Sequence, residues 1–440
     1  MIDLSLLRNA ETRNSVIESE KRRFKGDAVS NKVVDMIEER IKLRYTMEQL
    51  NKEMNALTKE GMKYFKIKNG SASAEQEGQK NALLKKIAEI KEQRAACSAE
   101  LSKKEEETDE VAREIGNILD PNVFISQNED ENPVVFETGK NVKTFWPKEL
   151  LSYDVILDRL GATDTERGTK IAGHRGYFLK DAGVILTQSL IRYAMDFLRK
   201  HDYSLIQTPF MMLKESMKRT AQLSDFDDQL YKIEGHNEAY LIATSEQPLS
   251  AQHEGEWIKE NELPIKYCGY SSCFRKEAGA HGKDNRGIFR VHQFEKIEQF
   301  LITTPGESEN EFKKMVERSK EFYDTLGLSY RVVSIVSGAL NNAAAIKYDL
   351  EALFPASDRF RELVSCSNCT DYQSRDLNVR FLPNENSEKK QFVHMLNGTL
   401  CAVQRTLCCL VENYQTEGGI MVPDVLIPYV GEKFIPYVKE

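Results

Sequence analysis

From about Val33 to Tyr64, and again from about Asn81 to Ile118, the chain has no proline, and glycine occurs only at Gly61 and Gly116. In the second stretch Leu83, Ile87, Ile90, Arg94, Cys97, Leu101, Lys104, Thr108, Val111, Ile115 and Ile118 step by alternating fours and threes. Eight of these eleven are apolar, which predicts a coiled-coil seam. The first stretch shows the same step at Met47, Leu50, Met54, Leu57 and Gly61. Between them lies the flexible, small-residue segment 69–78 (NGSASAEQEG), so the two helices are expected to fold back as an antiparallel hairpin. At 1.5 Å per residue the second helix would reach roughly 57 Å, and Pro121 closes it.

Beyond residue 120 the period changes. Residues 124–147, polar and carrying Pro133 and Pro147, read as a crossing linker with short extended pieces, and the body begins near Lys148. Residues 168–179 read as a strand pair, and 184–201 as a helix leading into a strand over 203–211 that ends at Thr208-Pro209. Further strands are predicted at 240–243, 267–274, 288–300, 329–336, 377–381 and around 391–396, with a final helix from about Leu400 to Asn413. Strands in hairpins with helices at the ends predict an α+β body on a mainly antiparallel sheet flanked by helices. Within it, residues 270–300 are organised as strand, glycine-rich turn and strand. In the second strand Phe289, Val291, Gln293, Glu295, Ile297 and Gln299 alternate with Arg290, His292, Phe294, Lys296, Glu298 and Phe300. Arg275, Glu277, Arg290, Phe294 and Glu298 would together form a polar floor for a charged, planar ligand. An amphipathic hairpin with solvated charges has the same pattern.

Charge sharpens this picture. The net charge of −8 opposes diffuse nucleic-acid binding, so any such contact must use a local basic patch. The tip of the arm offers one: Lys59, Lys63, Lys66 and Lys68 on the outgoing helix, and Lys80, Lys85, Lys86, Lys91 and Arg94 on the return. Its base is acidic, from Glu100 to Glu114, although a solvated coiled coil needs charges in any case. No apolar run approaches a membrane span. The acidic residues Asp3, Glu11, Glu18 and Glu20 do not fit a secretory signal or transit peptide, and eight cysteines without a framework fit a reducing cytoplasm. No GxGxxG follows a strand and no GxxxxGK[ST] occurs, so neither glycine-loop phosphate device is present.

Five motifs in order, behind an arm of suitable length, resemble the class II seryl-tRNA synthetases over essentially the whole chain. Pro209 after the helix-strand unit resembles the family's first motif, its dimer element. Phe274-Arg275-Lys276-Glu277 with Arg290-Val291-His292-Gln293-Phe294 resembles the second, and Asn397-Gly398-Thr399 with Arg405 the third. Thr244-Ser245-Glu246 is similar to the serine-binding loop and Glu362-Leu363-Val364-Ser365 to the ATP and magnesium segment. Finer likeness at 222–232 and 166–179 points to the eukaryotic cytosolic members, although the sequence stops soon after 422–431 without their basic tail, so docking through such a tail is not expected.

The resemblance implies three parts: a helical tRNA-binding arm over 1–120, a linker over 121–147 and a catalytic domain over 148–440. It implies a cytoplasmic homodimer that adenylates L-serine with ATP and Mg²⁺, then transfers it to serine tRNA, gripping that tRNA's long variable arm. Lys59, Lys63, Lys66, Lys68, Lys85 and Lys86 are the candidate RNA contacts. Arg275 is expected to bridge the serine carboxylate and the α-phosphate with its planar fork, and Arg405 to hold the γ-phosphate. Arg275, Glu277 and Arg405 are thus the candidate catalytic residues; Lys276, Arg290, Val291, Phe294 and 362–365 complete the ATP site. Glu277 would accept from the adenine amino group, Phe294 would stack on its ring with Arg290 opposite, and Glu362 and Ser365 would hold Mg²⁺. Glu298 and Thr244 fit the serine ammonium; Thr399, Asn397 and again Glu298 fit its hydroxyl, with Ser245, Glu246 and Arg275 completing the subsite. Such a site rejects an analogue lacking the hydroxyl by roughly 10⁴–10⁵, and a tight pocket excludes threonine's extra methyl at about 1–3 kcal/mol. Lys276 and Lys296 are expected in solvent and His292 in a structural role. No zinc is expected, because Cys366, Cys369, Cys268 and Cys273 lack the paired spacing of a ribbon. A silent homologue would need a broken site, yet Arg275, Glu277, Glu298, Glu362 and Arg405 are all present. A ligase for another small amino acid would normally lack the long arm.

Overall fold

The computed structural model describes residues 1–65, 74–221, 226, 228–235, 238–277, 286–383 and 390–439. It divides into two compact units: Asp3–Lys21 with Lys25–Ile115, and Met1–Ile2, Arg22–Phe24 and Gly116–Glu440.

The first unit contains α1 (Ala10–Arg22), α2 (Ala28–Phe65) and α3 (Ala74–Ala112). Arg40 of α2 pairs with Glu105 and Asp109 of α3, and Lys104 with Glu39, so the two long helices run antiparallel. Met54, Leu83, Ile90 and Cys97 are buried at expected seam positions. Lys104, a charge at a seam position, is accommodated because Glu39 of the facing helix reaches its ammonium at 2.9 Å. Two expectations need correction. The return helix starts at Ala74, because Glu75 and Glu77 suit a positive N-terminal dipole, and it ends at Ala112 rather than Ile118. Of the candidate RNA contacts, Lys59, Lys85 and Lys86 are exposed, while Lys66, Lys68 and the side chain of Lys63 lie outside the described residues.

The second unit is built on an eight-stranded sheet. Its elements, in chain order, are β1 (Val134–Glu137), α4 (Ala182–Lys200), β2 (Ser204–Gln207), α5 (Glu246–Ala251), β3 (Ile265–Phe274), β4 (Gln293–Thr303), α6 (Ser308–Thr325), β5 (Tyr330–Ser334), β6 (Ile346–Phe354), β7 (Arg359–Asn368), α7 (Tyr372–Leu377), β8 (His394–Ala402) and α8 (Val403–Asn413). The strand order is β1-β5-β6-β7-β8-β4-β3-β2, antiparallel throughout except for β2 beside β3. Residues 121–147 are therefore more than a linker, because β1 pairs with β5 as an edge strand.

One face of the sheet carries Ile297, Leu301, Val364, Cys366, Leu396 and Leu400, which join α4, α6 and α8 in the main core with Leu190, Phe322 and Leu407. Gly398 admits Met315 of α6 on this side, where a Cβ would stand 2.7 Å from its Sδ. The opposite face is apolar at one end, where Phe300, Ile302 and Met395 join a smaller core with Leu249 and Leu377, and polar over the rest. Register shifts decide which polar residues it carries: between Leu350/Glu351 of β6, a bulge in β7 sets Glu362 opposite Glu351 and Ser365 opposite Asp349. Glu362 and Ser365 thus share a face, although three residues apart in a regular strand would part them. A second bulge sets Ile297 opposite Cys401 but Glu298 opposite Thr399, burying both Leu400 and Cys401 while Thr399 stays on the polar face.

Several elements differ from expectation. The strand predicted from Ile288 begins at Gln293, because Ile288, Phe289 and Val291 are drawn one after another into the core. Residues 165–172 form a helix capped by Asp164, whose carboxylate accepts from Arg167 N, and the strand pair shrinks to Thr163–Asp164 with Phe178–Leu179. Residues 372–377 are helical, and the nearby strand is Arg380–Leu382. The helix expected from Leu400 starts at Val403. Among the described residues no helix is long and apolar enough to cross a membrane.

Candidate active site

The polar face of the sheet and the segments that follow β3 and precede β4 line an open cleft. Its walls include Arg275, Glu277, Arg290, Val291, Phe294, Glu362, Leu363, Thr399 and Arg405, so most of the residues expected around ATP are brought together. Arg275 follows the end of β3; its Nε donates to Ala243 O and its guanidinium lies 5.4 Å from the centre of the Phe294 ring. His292 fixes the backbone there, exchanging a hydrogen bond between its Nδ1 and Arg275 O at 2.9 Å while Arg275 N donates to His292 O. Glu277 is held by Arg290 Nη1 at 3.0 Å, with Arg175 Nη1 at 3.8 Å on the same oxygen.

At the cleft's other wall Arg405, the third residue of α8, lies 5.1 Å from the centre of the Phe289 ring and 3.4 Å from Glu362 Oε2. Burial disfavours charge on Glu362, yet Arg405, Lys347, Arg275 and Lys296 outweigh it and hold its pKa below the ordinary carboxylate value. An ionised carboxylate that opens into the cleft beside the Ser365 hydroxyl on the same face is a hard oxygen donor set that fits Mg²⁺, which keeps most of its waters. Val364 does not share this site: its side chain is in the main core. Lys276 is half-buried, and its backbone N donates to Gln229 O, so it too departs from a solvated position.

Glu298 of β4 is buried on the same face, within a ring of donors. Its carboxylate accepts from Thr244 Oγ1 at 3.0 and 2.8 Å, Ser245 Oγ at 2.5 Å, Glu246 N at 3.1 Å and Lys296 Nζ at 3.3 Å. Burial opposes its charge, but the Lys296 ammonium and the Ser245 and Thr244 hydroxyls outweigh it, and its pKa is lowered. The loop bearing Thr244–Glu246 reaches Glu298 across Gly269, which stands opposite Glu298 in β3. A Cβ on Gly269 would lie 2.9 Å from Ser245 Oγ and 2.7 Å from Leu249 Cδ1. Asn397 and Thr399 of β8 are buried on the same face, and Asn397 Nδ2 donates to Glu246 Oε1 at 2.9 Å.

The sequence missed Lys296 here. It was expected in solvent, yet it is 6% exposed, with its Nζ donating to Thr244 Oγ1 at 2.8 Å. The available signal was its place two residues before Glu298 on a face otherwise committed to the site. Arg175, Gln373 and Gly269 were also missed, because each meets the site only through chain segments distant in sequence. Cys366 and Cys369 are buried thiols; burial pushes the Cys366 pKa up to about 12, and Asn397 Nδ2 donates to Cys369 Sγ at 3.4 Å.

A mainly antiparallel sheet backed by helices thus carries arginines, acids and a ringed carboxylate on its free face. The chain's residues 231–414 match the model of the tRNA synthetase class II core domain (G, H, P, S and T), and 1–119 that of the seryl-tRNA synthetase N-terminal domain. Across its full length the chain is 47% identical to the serine–tRNA ligase, cytoplasmic, of Schizosaccharomyces pombe, covering 97% of that protein. Among solved structures it resembles the cytoplasmic serine–tRNA ligase of Naegleria fowleri in complex with AMP, at 44% identity and a TM-score of 0.84, covering 100% of this chain and 99% of that one. It also resembles the seryl-tRNA synthetase of Pyrococcus horikoshii complexed with ATP, at 33% identity and a TM-score of 0.87 over the whole of both chains. The chain belongs to the seryl-tRNA synthetase family, the serine–tRNA ligases.

Proposed function

We propose that this cleft activates L-serine with ATP, releasing pyrophosphate, and then transfers the seryl group to the 3′-terminal ribose of serine tRNA. The observation that carries this reading is the Glu298 carboxylate, ringed by Thr244, Ser245, the Glu246 amide and Lys296 next to a cleft with Arg275 and Arg405 at its walls. Glu298 and Thr244 receive the substrate ammonium, and Thr399 and Asn397 its hydroxyl. Arg275 bridges the serine carboxylate and the α-phosphate. One carboxylate oxygen attacks the α-phosphorus, the bond to the β-phosphate oxygen breaks, and pyrophosphate leaves. No protein base is needed, because the nucleophile is already ionised; positioning and positive charge carry the step. Arg405 holds the γ-phosphate, while Glu277, Arg290 and Phe294 take the adenine. The AMP and ATP complexes of the two solved relatives support an adenine nucleotide in this cleft. Glu362 and Ser365 would hold Mg²⁺, which neutralises phosphate charge when bound. In the second step the ribose hydroxyl attacks the seryl carbonyl and AMP leaves.

The basic lysines at the arm's tip make that unit the partner of the tRNA's long variable arm, with residues from 148 onward as the catalytic domain. The working form is a homodimer through α4 and β2, and its place is the cytoplasm, as the names of the fungal and amoebal relatives have it.

Serine-dependent ATP–pyrophosphate exchange tests the reading. The protein should exchange with serine and, by comparison, hardly at all with alanine or threonine. Arg275→Ala should lower the rate by at least 10²-fold, the scale of a lost donor to developing charge. Exchange with alanine within tenfold of serine would reject the selectivity argument, and none with any amino acid would reject the reading.

A further inference from the structure

Next to Glu298, which accepts from its backbone N, Glu246 is gripped from two sides. Gln373 Nε2, from α7, donates to Glu246 Oε1 at 2.7 Å, and Asn397 Nδ2, from β8, donates to the same oxygen at 2.9 Å. The other oxygen, Oε2, takes no hydrogen bond from a described residue. Gln373 is 3% exposed, and its own Oε1 is buried with no hydrogen-bond partner among the described residues. A buried amide that leaves its carbonyl unpaired is a net burden on the fold. It is retained where its N–H holds something in place. We propose that Gln373 is a positioning residue for the amino-acid subsite: by clamping Oε1, it fixes the Glu246 carboxylate so that Oε2 is presented to the substrate ammonium beside Glu298. This rests on the assignment of serine to the residues around Glu298.

The charges around Glu246 make the clamp measurable. Glu298 and Lys296 face it from β4, Arg275 from beyond β3, and the thiol of Cys369 from beyond β7. Burial and the Glu298 charge raise its pKa to about 7, while the Gln373 hydrogen bond, Lys296 and Arg275 pull it down. Without the Gln373 amide the pKa rises further, so at neutral pH less of the carboxylate is ionised. Raising the pH restores it.

The experiment is serine binding by calorimetry and serine KM in exchange, from pH 6.5 to 9, for Gln373→Met, Gln373→Glu and the unaltered protein, with melting temperatures alongside. At pH 7 Gln373→Met should raise the serine Kd and KM about tenfold, the weight of one hydrogen bond to a charged group. Its kcat should stay within about twofold, and the deficit should shrink toward pH 9. Gln373→Glu, which places a third carboxylate beside Glu246, should show a larger deficit. An unchanged KM, or a loss equal at every pH, would overturn the proposal. Should Gln373→Met fail to fold, Gln373→Leu, which also lacks the amide and adds no titrating group, carries the same pH criterion. Arg275→Ala separates the two readings. If it abolishes exchange while the Gln373 variants behave normally, only the clamp is wrong. If it leaves exchange intact, the whole site is misassigned.

Discussion

At the scale of single residues, the absence of one methyl group sets how closely the Thr244–Glu246 loop approaches Glu298. Gly269 lets the Thr244–Glu246 loop rest on the sheet, and a Cβ there would push on Ser245 Oγ and Leu249. Gly269→Ala should therefore displace the Ser245 hydroxyl from Glu298 and raise the serine KM by roughly tenfold, since a hydrogen bond to a charged group is lost. KM measured by exchange checks this, and an unaltered value would mean that the loop relaxes freely. Glu412 of α8 poses a different test. Its two oxygens accept Tyr153 N and Ala356 N, and burial pushes its pKa up to about 7. Between the ordinary carboxylate value near 4.5 and about 7, the folded protein binds a proton that the unfolded chain releases. Stability must then fall as pH rises through that window. Glu246 and Asp349, also raised to about 7, act in the same direction. The melting temperature should decline from pH 5 to pH 8, and Glu412→Gln should flatten the decline.

At the scale of elements, legibility followed how plainly each segment displayed a period. The seam through Met54, Leu83, Ile90 and Cys97 was readable because polar faces surround it, and it found two long helices while missing their ends: α2 starts at Ala28, and α3 runs from Ala74 to Ala112. The strands β6 and β7 went unread as a pair. Their alternation is broken by the bulge at 362–364, and their polar face holds site residues rather than a solvated surface. The motif residues Arg275, Glu298, Glu362, Thr399 and Arg405 could be picked out by type and order. The roles of Lys296, Gln373 and Arg175 could not, because register and loop approach decide them. The arm's lysines call for a test at this scale. Replacing Lys59, Lys85 and Lys86 with glutamine should weaken tRNA binding and flatten its dependence on salt, since each lost phosphate contact lowers the number of released counterions by about one. Serine-dependent exchange should be unaffected. A salt slope identical to that of the unaltered protein would place the RNA contact elsewhere.

At the scale of the whole molecule, the apolar surface left on the catalytic unit asks for a second copy. β2 is an edge strand of the eight-stranded sheet, with Leu205 exposed, and α4, which packs against it, exposes Val184 and Ile185. Phe210, Met211 and Leu213, past Pro209, are exposed as well. An edge strand with apolar side chains and unpaired backbone groups is a template for association unless it is covered. A self-complementary patch on one chain closes into a two-fold dimer, the commonest symmetric assembly. The chain's mass is 50.4 kDa, so sedimentation equilibrium should find about twice that. Ile185→Glu combined with Leu205→Glu should return the protein to the monomer mass at micromolar concentration, because two unpaired carboxylates would have to be desolvated in the interface. A monomeric unaltered protein would reject the assignment of this surface. So would a double variant that stays dimeric, and the exposed residues at 124–136 would then be the next surface to alter.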